Sequence, residues 1–414
     1  MAFPGRYGRV RAAAPAVAAL LLLSALLPAC GRADPGDRSV QRLLDRRAAA
    51  LLDRDERAFL AETHPSAGRL RARQREVLRN LAEVPLAAWE YELTGTGGFE
   101  PAPGEGRRLA VRVRLSYRLS GHDTGPATAD QRLTLAERGG RWYIAAEHPA
   151  GDGPEPLWEQ GRVETVGGSR SLVLGVGHDR RRLRGIARTA DRAVPAVDAA
   201  WGGDWARRVV VLVPRSPADM AELLGDPPGS YRGIAAVTTG RTGGAPGGPA
   251  DRVIVNPAAY GILGEAGQDV VLTHETAHVA TRAQTSPATP LWLSEGFADW
   301  AGYRDTDRPA SRIAPELARE VAAGRAPGAL PGDEDFSFTG DARRLARAYE
   351  AGWLACRMIA EEWGEETLVS FYRAVGEAGP DRSRALETAL REQLGLGPAA
   401  FTARWRAYAE SRLG

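Results

Sequence analysis

"VLTHETAHVATRAQTSPATPLWLSEGFADW", Val271 to Trp300, decides how the rest of the chain is read. It holds two of the protein's six histidines, His274 and His278, four residues apart, with Glu275 directly after the first. On a helix, residues i and i+4 share a face. Both imidazoles then reach one ion about 2.0–2.1 Å from their nitrogens. Glu275 stands one step round the helix, beside the ion, where a carboxylate takes a proton from metal-bound water. The bland alternative is two surface histidines with a solvated glutamate between them.

Zinc that does chemistry needs a third protein ligand and one position left for water. "HVATRAQ" supplies no further His after a Gly, which excludes the metzincin arrangement. Instead the chain turns at Pro287 and Pro290, and a second helix carries Glu295, with 16 residues between His278 and Glu295. Asp299 follows four positions later on the same face. Metal-bound histidines hydrogen-bond carboxylates through their other nitrogen, so Asp299 is placed to serve one of the pair, His274 first; the plain alternative is a helix salt bridge.

"HETAH" followed by "WLSEGFADW" resembles the gluzincin metallopeptidases, especially the peptidase MA-like family and its aminopeptidase N relatives. The resemblance is clear over residues 271–300 and extends loosely over 166–414. It implies one Zn2+ bound by His274, His278 and Glu295, with Glu275 as general base, and a peptide or protein substrate. Such enzymes lay an extended peptide along a strand edge, a form of β-augmentation. "GIAAVTTG", Gly233 to Gly240, sits where that strand is expected, with Ile234, Ala235, Ala236 and Val237 as its substrate-facing segment. Aminopeptidase N-like enzymes carry a Glu in this stretch for the free amine; here no acid occurs between Gly233 and Gly240. An endopeptidase is therefore expected over an aminopeptidase.

The tetrahedral intermediate needs a donor for its oxyanion. No His follows His278, and four tyrosines lie beyond Glu295: Tyr303, Tyr349, Tyr372 and Tyr408. Tyr349 heads "YEAGW", and the resemblance to aminopeptidase N-like enzymes implies that this Tyr is the donor. Tyr303, eight residues after Glu295, is the rival, and a core aromatic is the plain reading of either.

The chain's start has a different character. Arg6, Arg9 and Arg11 precede an apolar run from Ala12 to Leu27 and then "LPAC", Leu27 to Cys30. This is signal-peptide organisation and resembles a bacterial lipoprotein signal, in which Cys30 carries lipid. The expectation is a signal peptide over 1–29 and a tether over 30–37, with the protein anchored to the cell membrane outside the cytoplasm. Plain secretion and an uncleaved anchor are the alternatives. Cys356 then has no partner and reads as a buried free thiol.

Net charge is +2 with 54 basic and 52 acidic side chains. All basic residues are Arg, and no basic block alternates with aromatics, so nucleic acid is not an expected partner. The run Arg180–Arg182 with Arg184 reads as a solvated helix start. Residues 38–83 carry apolar residues at helical spacing, among them Val40, Leu43, Leu44, Leu51 and Leu52. "RLAVRVRLSYRL", Arg108 to Leu119, alternates as a half-buried strand, with "AWEYELT", "QRLTLAE" and "RWYIAAE" as neighbours. Helices followed by a meander resemble the cone-shaped nuclear transport factor 2-like fold.

The fold class is thus α+β: a helix-plus-antiparallel-sheet domain over 38–150, a linker over 151–165, and a zincin-type domain over 166–414 with a mixed sheet and a helical C-terminal part. Leu354, Met358, Ile359, Leu368 and Phe371 are its expected helical core. Two other readings stand beside the peptidase. One is a non-catalytic zinc-containing binding or scaffold lipoprotein, which loss of the general base would mark. The other makes the N-terminal domain the functional, ligand-binding part.

Overall fold

The computed structural model describes residues 35–150, 155–227, 229–239, 251–338 and 341–414. The expected signal peptide, Cys30 and most of the tether fall outside these residues. Among the described residues no helix is long and apolar enough to cross a membrane.

Three helices open the fold: α1 (Pro35–Leu52), α2 (Glu56–Ala61) and α3 (Gly68–Asn80). α1 begins inside the segment read as a tether. Val40, Leu43, Leu44 and Leu51 are buried as expected, but Leu52 is exposed, because it is the last residue of the helix and falls off the apolar stripe. Four antiparallel strands follow as a meander: β1 (Leu86–Thr96), β2 (Arg108–Leu119), β3 (Ala127–Arg138) and β4 (Arg141–Pro149). In β2 the alternation settles the faces: Val111, Val113 and Leu115 are buried, while Arg112 and Arg114 are exposed.

The second sheet has five strands: β5 (Val163–Gly167), β6 (Ser171–Val176), β7 (Val209–Val213), β8 (Ala236–Thr239) and β9 (Arg252–Val255), in the order β5-β6-β7-β9-β8. β6, β7 and β9 are parallel neighbours, and β5 and β8 run antiparallel at the two edges. α4 (Arg180–Trp201) makes the crossover from β6 to β7. Asp179 caps it by accepting from the Arg182 amide at 2.7 Å. Arg180, Arg181, Arg182 and Arg184 are exposed, as a solvated start requires. β7 is apolar at every position because both its faces are covered. Val209, Val211 and Val213 pack with α4 residues such as Ile186 and Val194. Val210 and Leu212 face a core shared with Val111, Val113 and Leu115 of the first sheet.

That shared core corrects the linker reading. Leu157 and Trp158 are buried in it, and β5 starts at Val163, within residues 151–165. The Pro and Gly content of the stretch hid a short edge strand. A bidentate ion pair also joins the halves. Arg252 Nη1 and Nη2 donate to Asp123 Oδ1 and Oδ2 at 2.8 and 2.7 Å, and both side chains are buried.

Beyond α5 (Pro217–Leu224) and the second sheet the chain is helical: α6 (Glu265–Thr281), α7 (Leu291–Tyr303), α8 (Ala310–Ile313), α9 (Pro315–Ala322), α10 (Ala342–Trp363), α11 (Glu365–Glu377), α12 (Arg382–Leu394) and α13 (Pro398–Leu413). Leu354, Met358, Ile359, Leu368 and Phe371 lie at the centre of this layer with Trp405 and Phe297. Cys356 is a free thiol buried among them. The architecture is α+β: an antiparallel sheet, a mixed sheet and a helical C-terminal part.

Candidate metal centre

α6 carries His274, Glu275 and His278, and α7 carries Glu295 and Asp299. Both helices are buried on more than one face; Glu275 is buried, while His274, His278, Glu295 and Asp299 are partly exposed in the cleft. α7 begins where Pro290 cannot continue a helix inward. Its Leu291 amide donates to Asp333 Oδ1 at 3.0 Å, which supplies the missing cap.

Three ligand atoms converge. His274 Nε2 and His278 Nε2 lie 3.1 Å apart, and each lies 3.3 Å from Glu295 Oε2. Donors held about 2.0–2.1 Å from a tetrahedral zinc stand about 3.3–3.4 Å from one another. The observed triangle has that size, so the residues present fit zinc. Among the described residues this is the one His/Cys/Asp/Glu cluster with metal-site geometry. Its donors also have the right chemistry. Asp299 Oδ1 lies 2.8 Å from His274 Nδ1. A carboxylate only accepts, so Nδ1 carries a proton in either charge state, and Nε2 is the nitrogen left to bind a metal once its own proton has gone. Burial disfavours charge on His274, but Asp299 and Glu295 outweigh it and raise its pKa well above the usual imidazole value. Burial opposes ionisation of Glu295 too; its two histidine partners win and hold it far below the ordinary carboxylate range.

Glu275 is held by a residue that the sequence reading did not single out. Thr238 Oγ1, on β8, donates to Glu275 Oε2 at 2.6 Å. Nothing in "VTTG" signals a hydroxyl aimed at a helix 37 positions later.

Gly296 and Gly352 bring α7 and α10 together. A Cβ on Gly296 would collide with the Gly352 carbonyl, and one on Gly352 would stand 2.6 Å from the Trp292 carbonyl. That contact brings Tyr349 over the site, its ring centroid 6.2 Å from that of His274. Burial, then the negative Glu295 and Asp299, push the Tyr349 hydroxyl well above its usual pKa, so it stays a proton donor. Tyr303 lines the same cleft but packs edge-on against Trp353. Tyr372 is buried and hydrogen-bonds Thr285, and Tyr408 bonds Glu361 away from the site.

The cleft has a volume of about 570 Å³. Among the described residues β8 is its edge strand, with no partner on the side away from β9. Ala236 and Val237 belong to the strand, whereas Ile234 and Ala235 precede it. All four line the cleft.

The search of protein-family models gives no match, and no curated protein matches. Among solved structures the chain is similar to an M1 zinc metallopeptidase from Deinococcus radiodurans, at 17% identity over 79% of this chain and 70% of that one, with a TM-score of 0.33. A mutant of that enzyme bound to a Tyr-Ser-Ala substrate matches at 16% identity, the same coverage and a TM-score of 0.33. A two-domain M1 zinc metallopeptidase mutant bound to L-arginine matches at 16% identity, again over 79% and 70%, with a TM-score of 0.35. At these scores the functional reading rests on this chain's own residues.

Proposed function

We propose that the chain is a zinc-dependent peptidase, an endopeptidase, with His274, His278 and Glu295 as the metal ligands. The observation that carries this reading is the triangle of ligand atoms with Glu275 beside it. Bound zinc would polarise the scissile carbonyl and make its water a nucleophile near neutral pH. Glu275, fixed by Thr238 through one carboxylate oxygen, keeps the other free to accept the water's proton and pass it to the leaving amine. Asp299 orients His274. Tyr349 donates to the oxyanion. The unpaired edge of β8 receives the substrate backbone, with side-chain alternation setting which residues enter the cleft. The absence of an acid between Gly233 and Gly240 supports internal cleavage over removal of N-terminal residues.

The same proposal places the protein outside the cytoplasm, held at the membrane by lipid on Cys30. The sequence pattern of residues 1–30 supports this. The N-terminal unit reads as a binding or spacer domain of the nuclear transport factor 2-like kind. A scaffold without turnover would have no use for Glu275, which is present and oriented.

The experiment is digestion of an N-acetylated peptide library by the zinc-loaded protein with and without chelator. Chelator-sensitive internal cuts support the proposal. No cleavage by a fully zinc-loaded protein would favour the scaffold.

A further inference from the structure

The two ends of the cleft differ, and β8 tells which part of a peptide meets which end. Thr239 pairs with Arg252, and the neighbouring Asp251 accepts from Arg282 Nε at 3.0 Å. The carboxyl end of β8 therefore lies beside Arg282, four residues past His278 and about one helical turn beyond the metal site. Before the strand's other end, Ile234 lines the cleft, as do Val270 and Val271 on the turn of α6 before His274.

A peptide added to β8 in the more stable antiparallel sense runs opposite to the strand. Its residues before the scissile bond then lie toward Arg282, and those after it toward Ile234, Val270 and Val271. Arg382 also lines the cleft, but its donors are committed to Asp333 and the Pro287 carbonyl. Arg282 spends only Nε on Asp251. Among the described residues its two Nη groups have no hydrogen-bond partner, and the side chain is largely buried at 18% exposure. A guanidinium with a free fork matches a carboxylate in geometry and charge.

Resting on the peptidase reading, we propose that Arg282 is a specificity residue that selects an acidic side chain on the amino side of the scissile bond. Substrates thus carry an acid before the scissile bond and an apolar residue after it. A free N-terminal ammonium is disfavoured in the same place, since it meets an arginine where an aminopeptidase needs an acid.

Binding tests this apart from turnover. The zinc-loaded Glu275→Gln protein is titrated calorimetrically with acetyl-Ala-Glu-Ala-Leu-Ala-Ala-amide, with its Gln counterpart, and with an isomer whose Glu follows the Leu. A charge-assisted bond predicts that the first binds about 10-fold or more tighter than the other two. Adding Arg282→Gln brings the three together, with zinc content by plasma emission unchanged. Arg282→Lys keeps the Asp251 pair and the charge without the fork, and retains part of the preference; it serves if Arg282→Gln fails to fold. Equal binding of the Glu and Gln peptides overturns the proposal. So does preference for Glu after the Leu, or a preference that survives in either Arg282 variant undiminished. If the preference is present but the wild-type protein cuts none of these peptides, Arg282 still selects acidic ligands and the peptidase reading is what fails.

Discussion

Asp299 Oδ1 accepts from His274 Nδ1 at 2.8 Å, and this one bond turns the other ring nitrogen toward His278 and Glu295. Among the described residues no carboxylate bonds Nδ1 of His278 in the same way, so the two histidines are held unequally. Asp299→Asn should leave the fold intact and weaken zinc affinity by about 10–100-fold. Chelator competition against the wild type measures it. Unchanged affinity would reduce Asp299 to a helix-pairing residue.

Tyr349 and Tyr303 both line the cleft, but of the two only Tyr349 makes a ring contact with His274, tilted at 6.2 Å between centroids. Tyr349→Phe should keep zinc and lower kcat about 10²–10³-fold, the usual effect of losing one oxyanion donor, with little change in KM. Tyr303→Phe should be near neutral. Steady-state kinetics on both variants decides between them, and the reverse pattern would give the role to Tyr303.

The buried pair of Asp123 with Arg252 fastens the N-terminal unit to the strand next to β8. Asp123→Ala leaves a buried guanidinium without its carboxylate, a change that costs about 3–5 kcal/mol. Denaturant unfolding measures the loss. A loss below about 1 kcal/mol, the range of surface ion pairs, would show that this pair does not fasten the two halves.

How far the sequence carried depends on range. β2 was legible to the residue, Arg108 to Leu119, because apolar and polar residues alternate along it with a break only at Ala110. α4 was legible from its solvated start, Arg180–Arg182 with Arg184, and the pairing of His274 with His278 follows from helix periodicity. Thr238 with Glu275 and Asp123 with Arg252 were not legible. They lie 37 and 129 positions apart, and no local pattern encodes such contacts. β5 was missed because an edge strand of five residues gives little alternation to read. α5, α8 and α9 are also short, and their apolar residues are too few to show a period.

Glu350, next to Tyr349, accepts from the Glu316 and Leu317 amides at 3.1 and 2.6 Å and so ties α9 to α10. Burial outweighs those two donors and pushes its carboxyl up to about 7. A folded pKa above the unfolded one means the fold binds the proton more tightly. That contribution is complete below the unfolded value near 4.5 and is lost as pH rises through about 7. The stability difference between wild type and Glu350→Gln should therefore shrink, or change sign, from about pH 5 to about pH 8. Thermal unfolding of both proteins across that range checks it; a difference that grows with pH would contradict the assignment.

The central claim is that Glu275 is the base beside the metal and not a ligand to it. The most direct measurement is zinc stoichiometry together with single-turnover peptide hydrolysis in wild type and Glu275→Gln. The account predicts one zinc in both proteins, with hydrolysis in the wild type only. Loss of zinc from Glu275→Gln, or hydrolysis that survives in it, would contradict the account.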